Sequence, residues 1–94
     1  MLLGDLIARF TDKAVVEEAV LAIGDLVLLA ALREHAAADG LDLGTYAAAA
    51  VRRYAADASD EEWITLMGAM GRTEDPGAIY LKRAFAYTLG DNRL

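Results

Sequence analysis

The chain has 94 residues, 56% of them hydrophobic, with a formal net charge of −6, a single proline and no cysteine. That length supports one domain with a modest core, burying roughly 60–65% of the unfolded chain's surface, and the apolar content excludes an intrinsically disordered chain. The absence of cysteine excludes a disulfide framework and any thiolate metal site, and the acidic balance weighs against a nucleic-acid partner, which requires clustered Lys and Arg.

The charge is unevenly spread. Residues 57–75 hold six acids and one base, whereas residues 76–94 hold three bases and one acid. The longest apolar run, Leu26 to Leu32, is bounded by Asp25 and Arg33. A membrane span needs about 20 apolar residues, so no membrane insertion is expected. The start, Met1-Leu2-Leu3-Gly4-Asp5, lacks the basic region that opens a secretory leader. A cytoplasmic location is the resulting expectation.

Taken in chain order, residues 2–10 read as a short amphipathic helix closed by Thr11-Asp12. Residues 12–23 admit two readings. Val16, Ala19, Val20 and Ile23 fit one helical face, while Val20 to Ile23 fits a short strand equally well, since brief apolar runs do not discriminate. Gly24-Asp25 breaks the pattern under either reading. Asp25 to Asp39 then reads as a helix whose stripe is Leu28, Leu32 and Ala36, flanked by Leu29 and His35 and ended by Gly40. Asp42 caps the next helix, with Leu43, Tyr46, Ala47, Ala50, Val51 and Tyr54 on its apolar side. The connection is so short that the two helices must fold back as a hairpin.

Ser59 opens the clearest helix start. Its hydroxyl can accept from free N–H groups of the first turn, and Glu62 three residues on completes a capping-box pattern. Asp60, Glu61 and Glu62 suit the positive end of the helix dipole. Ala58 and Trp63 stand at the positions of a hydrophobic staple. Trp63, Leu66, Met67 and Met70 follow at helical spacing; Gly68 suits close helix packing and Gly71 an end. Asp75-Pro76-Gly77 opens the last helix, with Asp75 as cap and Pro76 at the first helical position, where its missing N–H costs nothing. Ile79, Tyr80, Phe85, Tyr87 and Leu89 are its apolar residues and Gly90 its stop. The expected fold is a single all-α domain over residues 1–94. About five short helices surround a central hairpin of residues 25–57, which packs on the helices of 60–70 and 76–89. One short N-terminal strand within 14–23 is the open alternative.

Leu28, Leu32, Ala36, Gly40, Asp42, Tyr46, Ala47, Ala50, Val51 and Tyr54, with the closing run Ala50-Val51-Arg52-Arg53-Tyr54, resemble the helix pair of the ribbon–helix–helix family. The resemblance covers residues 28–54 and implies a dimeric architecture. In that family a strand ahead of the helices reads DNA bases in the major groove. In its place stands Glu18-Ala19-Val20-Leu21-Ala22-Ile23, one carboxylate and five apolar side chains.

Candidate chemistry is sparse. His35 and Ser59 are the only residues of their types. A Ser-His-acid triad needs both, yet Ser59 is accounted for as a cap, and His35 with Asp39, four residues on, suits a pair across one helical turn. Consecutive Asp60, Glu61 and Glu62 fan out by about 100° each on a helix, so they do not converge on a metal. Gly68-Ala69-Met70-Gly71 follows a helix instead of a strand and does not match a phosphate loop. Arg52-Arg53 and Lys82-Arg83 read as solvated helix faces. No catalytic residue, cofactor or metal is therefore expected. A short chain this apolar cannot hide all of it. The expected function is a non-enzymatic protein–protein interaction module, a homodimer or a small subunit or adaptor of a larger assembly. A ribbon–helix–helix DNA-binding regulator is the alternative. The candidate interaction surface is Val20, Ile23, Tyr46, Tyr54, Trp63, Met67 and Met70. For the last three, core packing competes with a partner groove, since Met-rich faces adapt to partners.

Overall fold

The computed structural model describes residues 3–90, which form six helices. These are α1 (Leu3–Phe10), α2 (Lys13–Ile23), α3 (Leu26–Ala38), α4 (Leu43–Asp57), α5 (Asp60–Gly71) and α6 (Pro76–Thr88). Five of the six starts carry a side-chain cap. Asp12 accepts from the N–H groups of Ala14 and Val15, Asp25 from Leu28, Asp42 from Thr45, Ser59 from Glu62 and Asp75 from Ala78. Each cap satisfies N–H groups that a helix start otherwise leaves without a partner. Gly24, Gly40 and Gly90 follow helix ends with φ near +70°, at 75°, 72° and 71°, a left-handed conformation that a side chain disfavours.

The strand alternative for residues 14–23 is not what forms. These residues lie in α2, and no strand occurs among the described residues. The reason is visible in burial. Val16 and Val20, four apart, are both buried, whereas Leu21 and Ala22 are adjacent and both exposed. A strand would send neighbours to opposite faces. A helix puts positions four apart on the same one, and Asp12 and Gly24 punctuate it at either end. The helix count among the described residues is accordingly six, not about five.

The hairpin α3–α4 forms, but its two arms are unequal. Helix α4 packs against α1, α2, α3 and α6, whereas α3 packs chiefly on α4 alone. Leu43, Gly44, Tyr46, Ala47, Ala48, Ala50, Val51 and Tyr54 of α4 are all buried. Its alanine-rich sequence explains this: small side chains let neighbours approach on several sides while keeping a strong helix propensity. Helix α5 sits outermost on α6, with Leu66 its one fully buried residue.

One close approach sets the position of α2. A Cβ on Gly44 would lie 2.7 Å from the Lys13 carbonyl oxygen and 3.1 Å from Oε1 of Glu17. The α2 backbone therefore crosses α4 where only glycine fits. Gly68, which the sequence suggested for close packing, is exposed, and a Cβ there would meet only the Arg72 guanidinium at 3.4 Å.

Candidate interaction surfaces

The residues expected to form a surface divide by depth. Val20, Tyr46 and Tyr54 are buried in the core, and Ile23, Trp63 and Met70 are partly buried against it. Met67 alone is largely exposed, at 52%. Aromatic size explains the depth of the tyrosines: large side chains in a short domain are what its modest core most needs. Tyr54 shows it best. Its ring centroid lies 5.4 Å from Tyr80, 5.7 Å from Tyr87 and 5.9 Å from Trp63, all tilted.

The polar end of Tyr54 is also satisfied. Its hydroxyl donates to Oε2 of Glu62, and Arg83 donates to both oxygens of that carboxylate, from Nε at 2.7 Å and Nη2 at 2.9 Å. Glu62 therefore does not return to the backbone of Ser59 as the capping-box pattern suggested; it ties α5 to α4 and α6. The Arg83 guanidinium lowers the Glu62 carboxyl below its usual range, aided by the Tyr54 hydroxyl and against partial desolvation. Burial pushes the Tyr54 phenol up, as does its bond to Glu62. Burial alone pushes Tyr80 up to about 12, with its hydroxyl donating to the Val51 carbonyl at 3.2 Å. This cluster is a clasp between helices and offers no open chemistry.

His35 is exposed and leans towards Tyr46, with ring centroids 6.5 Å apart. Its carbonyl, not its ring, meets Asp39, accepting from the Asp39 N–H. Ser59 is occupied as a cap, and Arg52, Arg53 and Lys82 are exposed. No group of three His, Asp or Glu residues able to hold a metal occurs among the described residues. No described helix is long and apolar enough to cross a membrane.

Apart from Met67, the large exposed apolar residues lie outside that set. At the corner where α2 gives way to α3, Leu21 is 49% exposed, Leu26 77% and Val27 82%. A second set, Ile64 at 74% with Met67 and Tyr87, lies on α5 and α6. The corner residues were within reach of the sequence. Leu26 and Val27 fall off the stripe of Leu28, Leu32 and Ala36, so one face of α3 had to carry them outward.

A groove of about 580 Å³ opens between α1, α2 and the start of α6. Leu6, Phe10, Val15, Ala19, Ile23 and Leu81 supply its apolar lining, and Glu18, Glu74, Asp75 and Arg9 its charged rim. Comparison with family models, with curated proteins and with solved structures finds no match for this chain. Its function has to be argued from these surfaces.

Proposed function

We propose that this protein is a non-enzymatic interaction module that self-associates through the α2–α3 corner. The observation that carries the reading is the exposure of Leu21, Leu26 and Val27 together. Burying a Leu or Val side chain fully is worth about 1.5–3 kcal/mol, and monomeric proteins rarely leave large contiguous apolar patches in water. Helix α3 packs chiefly on α4, so its outer face has no covering element. Further along that face, Ala30, Arg33, Glu34 and Ala37 are also exposed. One cation beside one anion makes the face charge-balanced, which suits a second copy of the same surface better than a strongly charged partner. A two-fold dimer uses the same patch twice.

The salt response separates this reading from a DNA-binding regulator. A chain of net charge −6 repels its own copy, so added salt screens that repulsion and strengthens an apolar contact. Binding to DNA weakens as salt rises. The stretch Ala19 to Ile23, which would stand in the place of a DNA-reading strand, belongs to α2 and has Val20 buried, which supports the interaction reading. The test is sedimentation equilibrium across micromolar concentrations, at about 20 and 300 mM salt. The mass is expected to rise from 10.1 kDa towards twice that value with concentration, and further at the higher salt. A monomer throughout, or a duplex-DNA complex that dissolves with salt, refutes the proposal.

A further inference from the structure

We propose that the groove between α1, α2 and the start of α6 docks a basic amphipathic helix of a partner protein. Helix α2 carries one broad apolar arc, wider than the core covers. Val16 and Val20 are buried in the core. Val15, Ala19, Ala22 and Ile23, at positions i, i+4, i+7 and i+8, run along the edge of the same arc and line the groove. None of the four is fully buried, and Ala22 is exposed. Leu6 and Phe10 of α1 and Leu81 of α6 flank this edge, and the space above it is the open groove. The two alanines keep that wall low, leaving space that larger residues would fill. The stripe runs from Val15 to Ile23, so it is about 12 Å long at 1.5 Å per residue, a little over two turns of a partner helix laid beside it. The volume of about 580 Å³ lies within the ordinary range for binding clefts. Grooves of this kind take the apolar face of a helix through residues at i, i+3, i+4 and i+7.

The rim supplies the sign of the partner's charge. Glu18, Glu74 and Asp75 carry three negative charges against one positive charge on Arg9. Neither Glu18 nor Glu74 forms an ion pair with another described residue. Asp75 is exposed and uses one oxygen to accept from the Ala78 N–H. Lys or Arg flanking an apolar stripe therefore meets charge of opposite sign here, while phosphate-rich partners, lipid or nucleic acid, meet repulsion. This site goes beyond the self-association of the α2–α3 corner and does not depend on it.

The test uses a fluorescein-labelled helical peptide with Leu on one face and Lys on the other, added to the full chain and followed by anisotropy. A peptide of the same pattern with Glu for Lys, and a scrambled Leu/Lys peptide, are the controls. Binding near 10 µM is expected for the patterned Leu/Lys peptide, roughly −7 kcal/mol by standard affinity arithmetic, and at least about tenfold weaker binding for both controls. Ala22→Arg, and Glu18→Lys with Glu74→Lys, should each weaken the Leu/Lys peptide about tenfold or more. The double change Asp57→Lys with Glu61→Lys alters net charge by the same amount on exposed residues away from the groove and the α2–α3 corner, and should leave binding within about twofold. Amide spectra of the labelled protein report both folding of each variant and the location of the peptide, with shifts expected at Ala19, Ala22 and Gly77. The proposal is overturned by no binding, by equal binding of the Glu or scrambled peptide, by equal loss in the charge-matched variant, or by shifts centred on Leu26 and Val27. A monomeric result in sedimentation overturns self-association and leaves this groove untouched.

Discussion

The Tyr54 hydroxyl and the Arg83 guanidinium converge on one carboxylate, that of Glu62, so that α4, α5 and α6 are joined at a single point. Helix α5 depends on it more than the others do, because Leu66 is its only fully buried residue. Tyr54→Phe removes one hydrogen bond and should cost about 1 kcal/mol, while Glu62→Gln disturbs both partners and should cost about 1–3 kcal/mol. The two effects should not add, since they share an atom; urea melts of the single and double variants measure the coupling. A double variant equal to the sum of the singles would show that the clasp contributes nothing as a unit.

The same clasp sets a dependence on pH at both ends of the scale. Arg83 holds the Glu62 carboxyl below its ordinary 4.5, so the folded state prefers the carboxylate. Its contribution is present above about pH 4.5 and is lost as pH falls through the lower folded value. The stability gap between the wild type and Glu62→Gln should therefore be widest near neutrality and close in acid. The phenols act in the opposite direction. Burial pushes Tyr80 up to about 12, and burial with the bond to Glu62 pushes Tyr54 up, so the fold prefers both protonated. Their contribution is complete below the ordinary value of 10 and is lost as pH rises through the folded values. Phenolate absorbance of Tyr54→Phe and Tyr80→Phe, set against helicity, checks this. Ionisation of either residue near pH 10 in a fully helical chain would contradict it.

Two glycines should respond in opposite directions to the same substitution. Gly44→Ala places a methyl group 2.7 Å from the Lys13 carbonyl oxygen, a backbone atom, so α2 must move away from α4. Overpacking of this kind costs about 1–3 kcal/mol. Gly68→Ala meets only the flexible Arg72 side chain and should stabilise the chain by about 0.5–1 kcal/mol through helix propensity. Thermal melts of both proteins decide the matter, and a Gly44→Ala variant as stable as the wild type would show that the close crossing is not required.

That contrast marks where the sequence stops being informative. Capping residues are local, so Asp25, Asp42, Ser59 and Asp75 announce their helices, and the apolar side of α4 follows from its spacing. Contacts between helices are not local. Nothing near Gly44 in sequence says that Lys13 crosses it, and nothing near Gly68 says that it faces water. Glu62 fits a capping box by spacing alone, but Arg83, 21 residues on, offers its carboxylate a stronger partner. Val20 to Ile23 fits a helix and a strand equally because four apolar residues carry too little periodicity, whereas the shared exposure of adjacent Leu21 and Ala22 resolves it. Tyr46 and Tyr54, on the apolar side of their helix, illustrate a related point: a sequence shows that a residue is apolar enough to bind something, and packing decides that here it is the chain's own core.

Leu26 and Val27 are the residues on which the proposed self-association turns. At 77% and 82% exposed they make few contacts within the chain, so replacing both by Glu should leave the folded monomer nearly unchanged. Surface substitutions of this kind usually alter stability by no more than about 0.5 kcal/mol. In a dimer the same change buries carboxylates against each other across a two-fold axis, where like charges cost several kcal/mol. The expected result is a variant with wild-type helicity and melting behaviour at low concentration that sediments as a monomer across the concentration range in which the wild type associates. The matched pair Ile64→Glu and Met67→Glu, on the exposed side of α5, should leave association intact. If instead the α5 pair abolishes association and the α3 pair does not, the self-contact belongs to the α5–α6 surface; if neither pair does, the apolar corner of α2 and α3 has no role in assembly.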